Sequence, residues 1–260
     1  MTTYGIIGVG SIAGAIVTGL CDGVDDAPEV VLSPRSADRA ATLSARFATV
    51  RTATTNQAVL DASDVVLVGV LPEQAPEVLR QLTFRPDHRV VSAVAALPFD
   101  DLAALVAPAR EVARSIPLMA VATRSGTTPV FPATPSATTL YDRLGASLQV
   151  ETEESFDAVV GASATVAAYF DYLGTITSWL ADRGVATVDA GRYVAATFAS
   201  LTDELSRPEV DFAALAQAHT TPGGLNEQFA GDLEQAGLAD AVRRGLDRIH
   251  ARVRSAGGPG

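Results

Sequence analysis

Residues Tyr4 to Leu20 read Tyr-Gly-Ile-Ile-Gly-Val-Gly-Ser-Ile-Ala-Gly-Ala-Ile-Val-Thr-Gly-Leu. This is an apolar strand, a glycine turn and the start of a helix. Gly8, Gly10 and Ala13 occupy the three positions of the dinucleotide fingerprint Gly-x-Gly-x-x-Gly/Ala, and each position has a physical reason. Gly8 permits the tight turn out of the strand. Gly10 lets a pyrophosphate approach the backbone, and Ala13 lets the helix pack close to the strand. The helix N-terminus, with Ser11 and Ile12 in its first turn, presents free N–H groups and the positive end of a dipole to phosphates. Few folds accommodate this pattern, and the expected one is a doubly wound α/β sheet.

The second strand, Glu29-Val30-Val31-Leu32, points to the choice of cofactor. Chains that bind NAD usually end this strand with an acidic residue that accepts from the ribose hydroxyls. Here it ends in Ser33-Pro34-Arg35-Ser36, with Arg39 one helical turn further on. A hydroxyl and two guanidinium groups suit a 2′-phosphate, which arginine binds bidentately. The expected cofactor is therefore NADP, with Ser33, Arg35 and Arg39 at its phosphate.

The strands that follow are nearly continuous apolar runs: Asp64 to Val70, Arg89 to Val94 and, more weakly, Glu111 to Ile116. Such runs are expected of parallel strands buried on both faces. Helical stretches from Gln74 to Gln81 and from Phe99 to Val106 separate them. A short helix over Leu140 to Leu144 and a last short strand over Leu148 to Val150 close this half. After residue 150 the strand signals stop. Helical spacing of apolar residues continues through Glu153 to Arg183, Ala190 to Ser206, Phe212 to Ala218, Gly223 to Gln235 and Leu238 to Arg254. The division expected is a Rossmann domain over 1–150, an all-helical domain over 151–256 and a disordered tail over 257–260. The long apolar face of the first of these helices (Phe156, Val159, Val160, Val166, Tyr169, Phe170, Leu173, Ile176, Leu180) suits packing against a second copy of the chain.

Charge and composition narrow the partners. A formal net charge of −11 disfavours nucleic acid and anionic membranes. No run of about 18 uninterrupted apolar residues occurs, and the start has no basic leader. The single cysteine, Cys21, suits a reducing compartment, so a soluble cytoplasmic protein is expected. No His, Cys or carboxylate cluster has metal-ligand spacing. All nineteen basic residues are arginine, so lysine chemistry is excluded.

A second informative stretch is His219-Thr220-Thr221-Pro222-Gly223-Gly224-Leu225-Asn226-Glu227-Gln228. Thr221 reads as a helix N-cap and Pro222 as the first helical residue. Two glycines in a first turn leave their N–H groups uncovered, which makes a cradle for a carboxylate. Pro-Gly-Gly is poor helix material, at about 1 kcal/mol per glycine relative to alanine.

Taken together, these motifs resemble the pyrroline-5-carboxylate reductase family over nearly the whole chain. Ile6 to Ala13 resembles its fingerprint, and Ser33 and Arg35 its NADP-selecting turn. Ser92 and the small residues after it resemble its strand end near the nicotinamide. Arg114-Ser115-Ile116-Pro117 is similar to its Arg-x-Met-Pro stretch, and Thr220 to Gly224 to its Thr-Ser-Pro-Gly-Gly signature. The resemblance implies a helical domain that interleaves in a homodimer, and NADPH-dependent reduction of a cyclic imine to a secondary amine. It further implies cofactor contacts from Val70, Leu71, Pro72 and Ala95, and substrate contacts from Pro117, Thr220, Thr221, Gly223, Gly224 and Leu225. The chain departs from the family on the substrate side. Leu225-Asn226 stands where the family has Thr-Thr or Ala-Thr, Leu71-Pro72 where it has Lys-Pro, and Leu118-Met119-Ala120 where it has Asn-Thr-Pro.

Imine reduction asks mainly for alignment of hydride donor and acceptor. Asn226 can donate a hydrogen bond near the imine nitrogen, Thr221 can orient a substrate carboxylate, and His219 is a candidate acid. Two other readings start from the same layout. One is a β-hydroxyacid-type dehydrogenase, which uses a lysine that this chain lacks. The other is a non-catalytic NADPH-binding sensor.

Overall fold

The computed structural model describes residues 2–207 and 209–255. The expected tail over 257–260 lies outside them. Two compact units form, Met1–Val160 with Arg252–Gly260, and Gly161–Ala251.

The first unit is an eight-stranded sheet flanked by helices. In chain order it contains β1 (Tyr4–Ile7), α1 (Ser11–Cys21), β2 (Val30–Leu32), α2 (Ala37–Arg46), β3 (Val50–Thr52), α3 (Asn56–Asp61), β4 (Val65–Val68), α4 (Ala75–Arg80), β5 (Arg89–Ser92), α5 (Phe99–Leu105), β6 (Glu111–Ser115), β7 (Thr127–Phe131), α6 (Pro135–Arg143) and β8 (Ala146–Gln149). The strand order is β3-β2-β1-β4-β5-β6-β7-β8. Strands β1 to β6 run parallel, β7 pairs antiparallel with β6, and β8 pairs parallel with β7. The chain order reverses between β1 and β4, and in open α/β sheets ligands bind at that switch point.

Strands β1, β2, β4 and β5 feed both faces of the sheet. Ile6, Leu32, Leu67 and Val91 pack with Ile16 and Leu20 of α1 and Leu140 and Tyr141 of α6. Their strand neighbours Ile7, Val31, Val66 and Val90 pack with Val59 of α3, Leu79 of α4 and Leu102 of α5. This alternation is the period-two geometry of a strand buried on both sides. The buried Tyr141 hydroxyl lies 2.7 Å from Ser115 Oγ, which donates to the Ser92 carbonyl at 2.9 Å. Burial pushes the Tyr141 pKa above its ordinary value, so it stays a neutral phenol.

Three differences from the sequence reading have local causes. Strand β3 leaves little trace in the sequence, because Val50-Arg51-Thr52 is short and only Val50 is buried. The expected all-parallel sheet gains the antiparallel β7, hidden in sequence by Pro129. Pro129 lies beyond the ladder with β6, which joins only Arg114 to Phe131 and Ser115 to Val130, so no bond to β6 is lost there. The first unit also extends past residue 150 to Val160. Buried Arg114 explains the extension: it ion-pairs with Glu153 and, at 3.2 Å, with Asp157, and its guanidinium stacks 4.6 Å from the centre of the buried Phe156 ring.

The remaining chain is helical: α7 (Glu153–Ser163), α8 (Thr165–Ala181), α9 (Thr187–Ala199), α10 (Thr202–Leu205), α11 (Phe212–Ala218), α12 (Leu225–Gln235) and α13 (Leu238–Ser255). Tyr169 and Tyr172 of α8 meet Phe198 of α9 edge to face. Most of the large apolar side chains of α8 and α9 are nevertheless uncovered, with Phe170 63 % and Tyr193 67 % exposed. The stretch Glu153–Ala181 is long and apolar enough by length and composition to span a membrane. It passes that test with its few acidic residues, two of which, Glu153 and Asp157, are paired with Arg114.

Candidate active site

The turn after β1 is shaped by what surrounds it. Gly8 has φ +94°, and an added Cβ would lie 2.7 Å from the Gly69 carbonyl, so only glycine fits. The Gly8 N–H donates to Ser33 Oγ at 3.1 Å, and the Gly69 N–H donates to the Ile7 carbonyl at 2.8 Å. Gly10 is different. A Cβ there would meet nothing nearer than 3.9 Å. The protein itself does not require glycine at that point. The space beside Gly10 is instead part of a cavity of about 610 Å³ at the switch point. Gly10 is the N-cap of α1 and makes no side-chain cap. The first-turn N–H groups of α1 have no intrahelical partners.

Gly8, Gly10, Ser11, Ile12, Arg35, Arg39, Val70, Leu71, Pro72 and Ala95 all line this cavity. Ala13 lies behind it, fully buried, where the helix meets the sheet. Ser33 does not line it. Its hydroxyl is buried and accepts from Gly8, so it holds the glycine turn rather than facing a phosphate. Ser36, which sequence reasoning passed over, lines the cavity in its place. It is the N-cap of α2, and its hydroxyl makes no capping bond. Neither Arg35 nor Arg39 forms an ion pair among the described residues. Two free cations, a hydroxyl and a helix N-terminus around one hollow suit a dinucleotide with an extra phosphate. Ser92 is buried at the end of β5, where its Oγ accepts from Val94 N–H at 3.2 Å, and Pro117 is buried just after β6.

In the helical unit the glycine pair sits in a turn, not in a helix. Gly223 has φ +71°, which no right-handed helix accommodates, and α12 starts at Leu225 with Gly224 as its N-cap. The expectation of Thr221 as N-cap and Pro222 as first helical residue is thereby corrected. The turn is closed by its own bonds. Gly224 N–H donates to the Thr221 carbonyl at 2.8 Å, and Gly223 N–H donates to Glu227 Oε2 at 2.6 Å. Asn226 Nδ2 donates to the His219 carbonyl at 2.7 Å, which ties α12 back to the end of α11. His219 Nε2 lies 3.0 Å from Glu204 Oε2, and Thr220 Oγ1 donates to the Ala216 carbonyl at 2.7 Å. Leu225 is 85 % exposed.

These features define a class: a Rossmann dinucleotide-binding unit followed by an all-helical unit with an uncovered apolar face. Comparison with known proteins narrows it. Residues 3–96 match the family model "NADP oxidoreductase coenzyme F420-dependent", and residues 153–256 match "Pyrroline-5-carboxylate reductase dimerisation". A pyrroline-5-carboxylate reductase from Pseudomonas aeruginosa is 25 % identical over 95 % of this chain and 93 % of its own length. The solved structure of a pyrroline-5-carboxylate reductase from Coxiella burnetii covers 99 % of both chains at 21 % identity with a TM-score of 0.87. That of a Plasmodium falciparum pyrroline carboxylate reductase with NADP bound covers 99 % of this chain and 98 % of its own, at 14 % identity and a TM-score of 0.80. The chain is thus similar to pyrroline-5-carboxylate reductases over nearly its whole length, and its C-terminal part matches their dimerisation model. The match of residues 3–96 to an NADP oxidoreductase model and the glycine turn beside the cavity both fit a nicotinamide dinucleotide as cofactor.

Proposed function

We propose that this protein uses NADPH to reduce the C=N bond of a small cyclic imine, pyrroline-5-carboxylate or a related ring, to a secondary amine. The cofactor, when bound, supplies the hydride. The chain's own part begins at the fingerprint, where the first-turn N–H groups of α1 hold the pyrophosphate beside Gly10. Arg35, Arg39 and Ser36 hold the 2′-phosphate. Val70, Leu71, Pro72 and Ala95 flank the nicotinamide end. In the helical unit, Thr221 and the start of α12 receive the substrate. Asn226 donates one amide hydrogen to the His219 carbonyl and keeps a second for the ring nitrogen. An amide does not give up a proton at neutral pH, so the reactive species is an imine already protonated in water. His219, whose Nε2 lies 3.0 Å from Glu204 Oε2, is the candidate acid at the end of α11.

The reading extends to assembly. The uncovered aromatic face of α8 and α9, in a segment matching a dimerisation model, supports a homodimer. A cytoplasmic location goes with a reductase that depends on NADPH and carries a single buried cysteine.

The observation that carries the proposal is Gly10 facing open space beside two unpaired arginines, in a chain whose other half matches the dimerisation model. The test is NADPH oxidation followed at saturating cofactor against a panel of cyclic imines. Turnover with NADPH well above that with NADH is expected. No turnover of any ring would favour the second reading, a non-catalytic NADPH-binding sensor. That reading draws support from the internal bonds that engage Gly223, Gly224 and Asn226.

A further inference from the structure

The sheet carries a polar row at the end opposite the cofactor cavity. Tyr4, Val65, Arg89 and Glu111 are the first residues of β1, β4, β5 and β6, and they stand side by side in the parallel register. The residues two places on, Ile6, Leu67, Val91 and Ala113, are buried on the side of α1 and α6, so the row faces the same way. Together with Ser136 and Thr139 of α6 it lines a cavity of about 260 Å³. This cavity shares no lining residue with the one beside Gly10. Tyr4 is only 4 % exposed, yet its hydroxyl has no hydrogen-bond partner among the described residues. Burial raises its pKa, so it is a neutral phenol with a proton to donate. The buried Ser136 hydroxyl has no partner among the described residues either. A buried hydroxyl left unpaired is costly, and a polar ligand in the cavity would satisfy both.

The charges on this row are opposite and loosely paired. Arg89 Nε lies 3.7 Å from Glu111 Oε2, beyond hydrogen-bond reach, and Glu111 Oε1 accepts from Ser136 N–H at 2.8 Å. The guanidinium N–H groups can take a carboxylate, and Glu111 Oε2 can take an ammonium. An anion alone would be repelled by Glu111, and a cation alone by Arg89. We propose that the row is a binding site for a small zwitterion, an α-amino acid with a short apolar side chain. Its carboxylate meets Arg89 and the hydroxyls of Tyr4 and Ser136, its ammonium meets Glu111, and its side chain packs on Val65. No bond is made or broken there, and the site stands apart from the imine-reductase reading.

The experiment titrates L-alanine into the full-length protein and follows binding by ligand-observed NMR. Sodium acetate and ethylamine, each with one of the two charges, are titrated in parallel. L-alanine is expected to bind saturably, and each single-charge probe to bind at least about tenfold more weakly. Tyr4→Phe keeps the buried ring and removes only the hydroxyl, and it should weaken L-alanine about fivefold. Arg89→Gln, at an exposed side chain, should weaken it about tenfold or more. NADPH affinity should be the same in all three proteins, which shows that the variants are folded and that the two cavities are separate. Absence of saturable L-alanine binding at about 20 mM overturns the proposal. So does L-alanine binding that neither variant moves, since it would then lie elsewhere on the protein. Acetate bound as tightly as L-alanine overturns the assignment of a zwitterion.

Discussion

The two units solve the problem of covering apolar surface in opposite ways. The sheet unit buries Ile6, Ile7, Val31, Leu67 and their neighbours almost completely in two clusters, one per face. In Gly161–Ala251, Ala190 and Val194 are the only buried hydrophobic residues among those described, while Phe170, Trp179, Val188 and Tyr193 are more than half exposed. Each exposed aromatic ring represents apolar area whose burial is worth about 25 cal/mol per Å². A sheet unit of this kind is stable by its own packing. The helical unit leaves its apolar face for the proposed association to cover, and it is this part of the chain that matches a dimerisation model.

This contrast can be broken most directly at the helical face. Phe170→Asp combined with Tyr193→Asp should convert a dimer to monomer in analytical ultracentrifugation and make α8 and α9 melt early, while the sheet unit keeps its cofactor affinity. A double variant that remains dimeric at micromolar concentration would mean that the face is not the interface.

On the sheet side the largest effect is expected at the cofactor. Arg35→Ala should raise the KM for NADPH about 10- to 100-fold and leave NADH nearly unaffected, as expected for loss of one charge-assisted contact of about 1.5–3 kcal/mol. Equal losses for both cofactors would remove the 2′-phosphate from Arg35. Next is Gly19, where an added Cβ would fall 2.1 Å from the Val121 carbonyl. Gly19→Ala should destabilise the sheet unit by about 3 kcal/mol, seen as a lower first transition in calorimetry with the helical transition unmoved. Asn226→Ala in the helical unit should lower turnover about tenfold at constant NADPH affinity. An unchanged kcat would take Asn226 out of the reaction.

The smallest effect concerns pH. His88 is buried at the start of β5, accepting from Arg85 N–H, and burial, together with Arg85, lowers its pKa below 6.5. The unfolded chain therefore binds this proton more readily than the folded one. The corresponding stability is present above about pH 6.5 and declines as pH falls through the folded-state pKa. A melting temperature that drops between pH 7.5 and 5 should flatten in His88→Gln, and an identical slope in the variant would assign the effect to other groups.

Much of this was legible in sequence because short-range chemistry dictated it. The fingerprint, the apolar runs of β4 and β5 and the switch to helical spacing follow from local periodicity, and Arg35 and Arg39 from one turn. The rest depends on partners far away in the chain. Val50-Arg51-Thr52 becomes a strand only because β2 offers it a ladder. Thr127 to Phe131 does so only because β8 accepts Pro129 across from Leu148. Ser33 looked like a phosphate ligand because hydroxyls suit phosphates, and its side chain turned out to face Gly8. The engagement of Gly223 by Glu227 needed the turn's positive φ, which brings a residue four places ahead within reach.

The bond from Gly8 N–H to Ser33 Oγ has a consequence for recognition. A glycine segment fixed by an interior hydroxyl, with Gly69 abutting it, is already in its receiving shape before any dinucleotide arrives. Docking the pyrophosphate then demands little loss of backbone freedom. On the proposed reading, discrimination between the two nicotinamide coenzymes would fall to the guanidinium groups of Arg35 and Arg39 that line the hollow, so coenzyme preference would be adjustable without disturbing the scaffold.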